Sequence, residues 1–371
     1  MNLNSLQLVN YRNFEDLQLD FSEKINCFIG NNGVGKTNIL DAIYNLSFTK
    51  SWLNPLDTQN IRYNQDFFLI KGKYRFEQDE IEISCGLKRG KKKSFKRNGK
   101  EYKKLSEHIG LIPLVSISPY DSNLILGGSD ERRKFIDSVI SQFDKEYLLA
   151  LLKYNRILTQ RNRLLKQFAE QRIFDKDSLD VWNMQLIEYG IVIYDKRKKF
   201  LNDLSPIFQK YYNFISEEKE PVQLSYRSQL IENFEDLLEQ NIEKDRVLQY
   251  TGVGIHKDEL IFKLKEHTLK KNASQGQQKT YLIALKLAQF DYIKQISSIK
   301  PILLFDDIFD KLDRLRVEQI IKLVADKHFG QIFITDTNQE RLDKILNKIK
   351  INYKLFKIND EISETGKSFT E

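Results

Sequence analysis

The sequence is poor in the residue types and runs that mark secreted, membrane-spanning and disulfide-stabilised proteins. Its 371 residues include only two cysteines, Cys27 and Cys85, each inside an apolar run, so neither a disulfide framework nor a cysteine metal cluster is expected. No apolar run reaches the ~18 residues of a membrane span. Residues 1–5 lack the basic and then apolar pattern of a signal peptide. We therefore expect two buried thiols and a cytoplasmic protein with no membrane partner.

Long flexible linkers are also absent, because the chain has only six prolines and sixteen glycines. The length suits two or three domains, or one domain with a large insertion. Residues 60–117 have the alternating pattern of strands, and residues 131–210 have the charged, leucine-rich pattern of long helices. Two helices of ~35 residues would each extend about 50 Å and pack as an antiparallel arm.

Positive charge exceeds negative charge, with a formal net charge of +7. Ten Lys or Arg residues and a single acid, Glu101, lie between Lys88 and Lys104. A cluster of this kind favours nucleic acid as the partner, but Asn98-Gly99 equally predicts a solvated hairpin turn. The two interpretations are compatible, and the candidate DNA-binding residues are Lys91, Lys92, Lys93, Lys96 and Arg97.

Residues 30–37 fit the phosphate-loop pattern G-x-x-x-x-G-K-[ST], between a predicted strand at 25–29 and a predicted helix from residue 36. Backbone N–H groups of such a loop cradle phosphates, the lysine neutralises them, and the hydroxyl that follows holds Mg²⁺. The pattern therefore predicts an ATP site with Mg²⁺. The loop residues are Gly30, Asn31, Asn32, Gly33, Val34, Gly35, Lys36 and Thr37.

An acidic site is predicted far along the chain, where four apolar residues at 302–305 precede Asp306 and Asp307. The apolar run predicts a buried strand. Asp306, together with Thr37, would hold Mg²⁺, and Asp307 would orient or activate the attacking water. Lys36, Asp306 and Asp307 are therefore the candidate catalytic residues.

A third motif, Ala273 to Lys279, precedes a predicted helix and resembles the signature sequence of ABC ATPases. Ser274 could simply cap that helix. The order of phosphate loop, signature and acidic strand instead favours the ABC class. In that class the signature binds the γ-phosphate of the opposite subunit, here through Ser274, Gln275, Gly276 and Gln277. The same resemblance assigns Asp310 and Asp313 to the D-loop at the dimer interface.

The finer motifs resemble the RecF family of bacterial recombination proteins across nearly the whole chain. They include Asn10 to Phe14, Ser118 to Asp121, Arg132 to Asp137, and Gly254 to Leu260. The resemblance implies an α/β fold, an ABC-ATPase head with a mixed sheet around the phosphate-loop helix, a β-rich lobe and an inserted antiparallel helical arm. We expect head segments at 1–125 and 221–371 and the arm at 126–220.

The resemblance also implies a function in recombinational repair and replication-fork maintenance. Arg12 and Asn13 would approach the nucleotide, and an ATP-dependent homodimer would clamp double-stranded or gapped DNA. Partnership with RecO and RecR would then place RecA on DNA. We therefore expect a weak ATPase that is stimulated by DNA. Asp307 in place of a glutamate, and no histidine around Thr335-Asp336-Thr337, suggest that its hydrolysis is slow.

Two other functional classes remain open. A transporter-type cassette is disfavoured by the arm and by the missing histidine, whereas an ATP-binding DNA scaffold with negligible turnover stays compatible with the residues. His256 would be either a sensor or a packed residue, and packing is the favoured interpretation.

Overall fold

The computed structural model describes residues 1–77, 79–217, 220–231, 233–308, 314–325, 328–338, 340, 342, 346, 352–359 and 362–367. These residues cluster into two compact units. The first contains Met1–Asp121, Phe214–Glu217 and Leu282–Glu371, and the second contains Ser122–Asn213 and Glu218–Tyr281.

The first unit contains an antiparallel sheet of six strands in the order β2-β1-β4-β5-β6-β7. This sheet is the β-rich lobe that the sequence predicts. Its strand β2 was not predicted, although its alternating burial is typical of a half-exposed strand. The strands are β1 Asn2–Tyr11, β2 Phe14–Asp20, β4 Phe67–Phe76, β5 Asp79–Lys88, β6 Ser94–Arg97 and β7 Lys100–Glu101.

A second six-stranded sheet in the same unit is mixed, with the order β15-β14-β3-β13-β12-β8. All neighbouring strands are parallel except β14 and β15. The strands are β3 Ile25–Ile29, β8 Leu114–Ile117, β12 Ile302–Asp306, β13 Ile332–Asp336, β14 Tyr353–Ile358 and β15 Ile362–Lys367. The strand near residue 114 thus belongs to this sheet and not to the β-rich lobe, because it pairs with β12.

Helix α1, Lys36–Phe48, joins the two sheets into one core. Its predicted apolar face, Ile39, Leu40, Ile43 and Leu46, is fully buried, in one cluster with residues of both sheets. Helix α10, Arg314–Ala325, also lies in this unit. The sequence also predicts a helix at 340–349, which falls largely outside the described residues.

The second unit is built from helices α2 Ser122–Leu126, α3 Ser129–Ile140, α4 Lys145–Gln171, α5 Lys176–Ser216, α6 Phe234–Gln240, α7 Ile242–Leu248 and α8 Leu269–Asn272. A three-stranded antiparallel sheet completes it: β9 Val222–Arg227, β10 Glu259–Leu264 and β11 His267–Thr268. Helix α9, Gln275–Ser297, starts in this unit. Helices α4 and α5 are the predicted antiparallel arm, with 27 and 41 residues in place of two helices of ~35.

The unit that contains the arm extends beyond the predicted boundary at residue 220, as far as Tyr281. Buried ion pairs explain the difference. Arg161 of α4 contacts Asp245 of α7 at 2.7 Å, with both side chains fully buried. Arg197 of α5 contacts Asp258 at 2.9 Å. Separating such partners would leave buried charges unpaired at a cost of several kcal/mol, so residues 221–281 fold with the arm.

Candidate functional site

The phosphate loop lies between β3 and α1, as the sequence predicts. Gly33 and Gly35 adopt positive φ angles of 87° and 105°, a region that other residues rarely occupy. A Cβ atom at Gly35 would lie 2.3 Å from the Asn13 side chain, and one at Gly30 would lie 2.3 Å from the Ile358 carbonyl oxygen. The loop backbone therefore requires glycine at these positions.

Lys36 is nearly buried at the start of α1, and its ammonium group turns back onto the loop. The Nζ atom donates to the carbonyl oxygens of Gly30 and Asn31, at 2.8 and 2.9 Å. No side chain among the described residues caps this helix, and its first turn contains no acid. A helix N-terminus of this kind, with a cation beside it, can bind an anion such as a phosphate group.

Asp306, at the end of β12, lies directly beside the start of α1. Its Oδ1 atom accepts hydrogen bonds from the hydroxyl groups of Thr37 at 2.9 Å and Thr335 at 2.8 Å. Thr335, at the end of β13, also accepts a hydrogen bond from the Asp307 N–H at 3.0 Å. The sequence prediction missed Thr335, because only the pairing of β12 with β13 brings it to Asp306.

Burial raises the pKa of the Asp306 carboxyl group, and the two threonine hydrogen bonds only partly offset this effect. A buried carboxylate with hydroxyl oxygens around it is a ligand set that suits Mg²⁺, which prefers oxygen and keeps part of its water shell. The described residues contain no group of three or more His, Cys, Asp or Glu side chains that could hold a metal. Oxygen atoms of phosphate groups and water could supply the remaining ligands.

Asn13 supports the phosphate loop from the β1–β2 turn. Its amide nitrogen donates to the Val34 carbonyl oxygen at 2.9 Å, and its Oδ1 atom accepts from the Asn38 amide at 2.7 Å. A cleft of about 980 Å³ opens beside it, which lies at the upper end of the size range for small-molecule sites. The cleft is lined by Asn13, Phe14, Glu15, Asp16, Leu17, Gln18, Asn31, Val34, Asn359 and Ile362.

Arg12 extends toward α1, where it contacts the buried carboxylate of Asp41 at 3.0 Å. The Asp41 carboxylate also accepts hydrogen bonds from the Tyr11 hydroxyl group, the Ser51 hydroxyl group and the Trp52 N–H. The sequence prediction missed Asp41. An acid between the apolar helix positions Leu40 and Ala42 was the available signal, since a buried carboxylate requires partners.

The signature residues begin α9 and form a reciprocal cap. The Ser274 hydroxyl group accepts from the Gln277 N–H at 3.2 Å, and Gln277 Oε1 accepts from the Ser274 N–H at 3.0 Å. This S-x-x-Q arrangement is a capping box. Ser274 and Gln275 are exposed, and Gly276 and Gln277 are half-buried. The serine therefore caps its helix, and the signature contact stays a prediction that its exposure permits.

The remaining predicted residues differ in their placement. Asn98 and Gly99 form the predicted turn between β6 and β7, with φ angles of 49° and 76°. Lys91, Lys92 and Arg97 are exposed, and Lys96 is half-buried. Lys93, however, contacts Asp57 at 2.6 Å and the Thr49 carbonyl oxygen at 2.8 Å. Asp310 and Asp313 lie outside the described residues.

His256 is packed inside the second unit, as favoured from the sequence. Its Nδ1 atom lies 2.9 Å from the Tyr154 hydroxyl group and its Nε2 atom lies 3.0 Å from the Thr251 carbonyl oxygen. A carbonyl can only accept, so Nε2 carries the proton and Nδ1 accepts from Tyr154. Burial lowers the pKa of His256 to about 4. The ring is therefore neutral near pH 7.

The fold and these motifs together define an ABC-ATPase head of the SMC type with an inserted helical arm. The family model described as RecF/RecN/SMC N terminal domain matches residues 2–364. An Smc head domain from Pyrococcus furiosus shares the fold, with a TM-score of 0.58 at 15% identity over 98% of this chain and 96% of that chain. No described helix is both long and apolar enough to span a bilayer.

Two relatives specify the family further. The DNA replication and repair protein RecF of Phocaeicola vulgatus is 54% identical over 368 residues, 98% of each chain. A solved structure described as the recombination mediator protein RecF-ATP in the RecFOR pathway has a TM-score of 0.88 at 29% identity, covering 98% of this chain and 97% of that chain. The chain belongs to the RecF family.

Proposed function

We propose that this protein is an ATP-dependent DNA-binding protein of recombinational repair, in which ATP joins two copies into a clamp and slow hydrolysis releases it. The observation that carries the proposal is the Asp306 cluster. The buried Asp306 carboxylate accepts hydrogen bonds from the hydroxyl groups of Thr37 and Thr335. Thr37 follows the phosphate-loop lysine, and Thr335 also accepts a hydrogen bond from the Asp307 N–H. A solved relative that is named for its complex with ATP supports the same assignment.

Each group in the site has a defined task in this proposal. The loop N–H groups and Lys36 bind the β- and γ-phosphates and neutralise their charge. Thr37 and Asp306 would hold Mg²⁺, which supplies charge neutralisation at the phosphates when it is bound. Asp307 orients the attacking water. Asn13 holds the loop through the Val34 carbonyl group, while Arg12 acts through Asp41 on the first helix.

The second half of the catalytic site would come from the partner copy in a homodimer. At the start of α9, Ser274 and Gln275 are exposed and Gly276 and Gln277 are half-buried. A helix N-terminus is a suitable group to meet the γ-phosphate bound by the other copy. Asp310 and Asp313 are proposed to lie along the same interface. The capping box supports this assignment because it holds the Ser274 hydroxyl group in place without burying it.

The DNA and protein partners are proposed from charge and from the relatives. Lys91, Lys92, Lys96 and Arg97 provide phosphate contacts on double-stranded or gapped DNA. The relatives are named as DNA replication and repair proteins and as a recombination mediator in the RecFOR pathway. We extend that role to this chain, with RecO and RecR as partners in loading RecA.

The proposal is tested by sizing the protein in solution with and without ATP and Mg²⁺, as wild type and as Ser274→Arg. The arginine blocks the contact to the partner's γ-phosphate by its bulk, whereas the phosphate loop stays intact. Ser178→Arg is the matched control, because Ser178 is an exposed serine in the first turn of another long helix.

We expect ATP to dimerise the wild type and the control but not Ser274→Arg. If ATP leaves the mass of all three unchanged, the two-copy site is wrong. Phosphate release by wild type and Lys36→Ala then separates the alternatives. Slow release that depends on Lys36 supports the switch, whereas DNA binding without any release supports an ATP-binding scaffold.

A further inference from the structure

Two rows of exposed residues run along α4 and α5, and the proposed nucleotide and DNA chemistry uses neither of them. In each row the positions are spaced alternately four and three residues apart, which places them on one side of a helix. The basic row is Lys145, Leu149, Leu152, Arg156, Thr159 and Arg163. The acidic row is Asp177, Val181, Met184, Glu188, Ile191 and Asp195.

Apolar side chains in both rows are open to solvent. Leu149 and Leu152 are 53% and 49% exposed, and Val181, Met184 and Ile191 are 56%, 71% and 46% exposed. A single exposed apolar residue is ordinary. Five of them aligned at heptad spacing on two helices are the pattern of surfaces that pack against another helix.

The charges of the two rows are opposite and unmixed. The basic row contains no acid, and the acidic row contains no base, although the whole chain has an excess of positive charge. Across the part of the chain that the structure describes, Arg156, Arg163, Glu188 and Asp195 take part in no ion pair. Each row therefore presents charge that a partner of opposite sign could neutralise.

The two rows match each other position by position when they are aligned in parallel. Arg156 then faces Glu188, Leu149 faces Val181, and Leu152 faces Met184. The alignment continues to both ends, with Lys145 opposite Asp177, Thr159 opposite Ile191 and Arg163 opposite Asp195. Every charged position meets its opposite charge, and no apolar residue meets a charge.

This match cannot be made within one copy. The contacts Arg161 to Asn183 and Lys153 to Tyr189 show that α4 and α5 of one chain run antiparallel. Each row also lies on the side of its helix that is turned away from the buried seam, which on α4 includes Tyr154 and Ile157. The partner with the matching surface is therefore another copy of the chain.

We propose that the basic row of one copy packs in parallel register against the acidic row of a second copy. The interface is head-to-tail, because each contact uses the basic row of one copy and the acidic row of the other. One row of each copy stays unoccupied, so a further copy can bind to it. One helix on one helix buries less than the ~1,200 Å² of a stable complex, and the expected Kd is on the order of 0.1 mM. The contact uses neither nucleotide nor DNA and so does not depend on the proposed function.

Sedimentation velocity of the nucleotide-free full chain, without DNA, tests the contact. We expect the mean mass of the wild type to rise with concentration and to fall again at high salt. Arg156→Glu and Glu188→Arg should each weaken the association at least ~tenfold, because like charges then face each other. The combined variant Arg156→Glu/Glu188→Arg should regain it. Lys244→Glu, an exposed lysine of α7 outside both rows, is the matched control.

A wild type that stays monomeric at all concentrations overturns the inference, as does a combined variant that does not regain association. The register is tested by disulfide formation, because both natural cysteines are buried. A mixture of Leu149→Cys and Val181→Cys proteins should cross-link between copies. Cross-linking of Leu149→Cys with Ile191→Cys instead would show the antiparallel register and refute the proposed one.

Discussion

Two buried carboxylates beside the phosphate-loop helix have opposite surroundings. Asp41 is surrounded by donors, among them the Arg12 guanidinium group and the Tyr11 hydroxyl group. Asp306 accepts at Oδ1 from two threonine hydroxyl groups among the described residues, and burial raises its pKa. The first carboxylate thus stabilises the fold, whereas the second costs stability until a cation neutralises it.

Replacing Asp306 with Asn should therefore stabilise the nucleotide-free protein near pH 7, by roughly 1 kcal/mol. The folded state binds the Asp306 proton more tightly than the unfolded state does. The stability that the Asp306 carboxyl group contributes is therefore full below its ordinary pKa of 3.8. This contribution is lost as the pH rises through the raised pKa of the folded state. Urea unfolding at pH 7 and pH 5 should show a smaller gain at pH 5.

Asp41→Asn is the matched control for this variant. It should destabilise the protein by roughly 3 kcal/mol, because the partly buried Arg12 guanidinium group loses its counter-charge. If Asp306→Asn is also destabilising at pH 7, the buried carboxylate is not a cost to the free protein.

His256 should make the protein sensitive to mild acid. Its pKa of about 4 in the folded state lies below its ordinary value of 6.5, so protons bind the unfolded state first. Stability is therefore lost as the pH falls from about 6.5 toward 4, by about 2 kcal/mol between pH 7 and pH 5. In His256→Gln this dependence should shrink by that amount. His267→Gln, at an exposed position, should keep the wild-type slope, and equal slopes in all three proteins would refute the prediction.

At the scale of secondary-structure elements, the start of α9 would have two tasks in the proposed function. The capping box between Ser274 and Gln277 stabilises the helix and leaves the N-terminus open to an anion. The two tasks have different chemical requirements. Capping accepts any side-chain oxygen at position 277, whereas phosphate binding rejects a negative charge there.

Gln277→Glu should separate the two tasks. The glutamate can still accept from the Ser274 N–H and interacts favourably with the helix dipole, so thermal stability should stay equal or rise slightly. ATP-dependent dimerisation should weaken at least ~tenfold, because the carboxylate repels the γ-phosphate. Gln277→Ala should instead lose about 1 kcal/mol of stability and keep more of the dimerisation. Undiminished dimerisation of Gln277→Glu would exclude a phosphate contact at this helix.

At the scale of the whole molecule, the net charge of +7 overstates the positive surface available to DNA. Within the basic cluster of residues 88–104, Lys93 is already paired with Asp57 and is mostly buried. Lys91 and Lys92, two residues before it, are exposed. Neighbouring lysines in one run thus have different roles. The difference arises because Asp57, which is distant in sequence, contacts Lys93.

Lys91→Gln/Lys92→Gln should weaken binding to duplex DNA. It should also reduce the slope of log K against log salt by about 0.9 for each lost phosphate contact. Lys93→Gln should leave that slope unchanged and lower the stability of the protein, because Asp57 loses its partner. Fluorescence anisotropy over a salt series distinguishes the two. Unchanged slopes in both variants would identify the cluster as a solvated hairpin without a DNA contact.

Features that are contiguous along the chain could be predicted from the amino-acid sequence. The glycine-rich loop between strand and helix, the buried strand that ends in Asp306 and the Asn98-Gly99 turn each depend on neighbouring residues. Local backbone geometry and periodicity therefore suffice to predict them. Contacts between groups that are distant in sequence depend on the packing of the folded chain. Thr335 reaches Asp306 through the pairing of β12 with β13, and Arg12 reaches Asp41.

The same distinction explains the extent of the arm unit. Buried arginines on α4 and α5 pair with Asp245 and Asp258, which lie 84 and 61 residues further along the chain. Composition and periodicity carry no information on such pairings. The two ion pairs form because a buried charge is stable only beside a charge of opposite sign. The folded structure is needed to identify which residue supplies that charge.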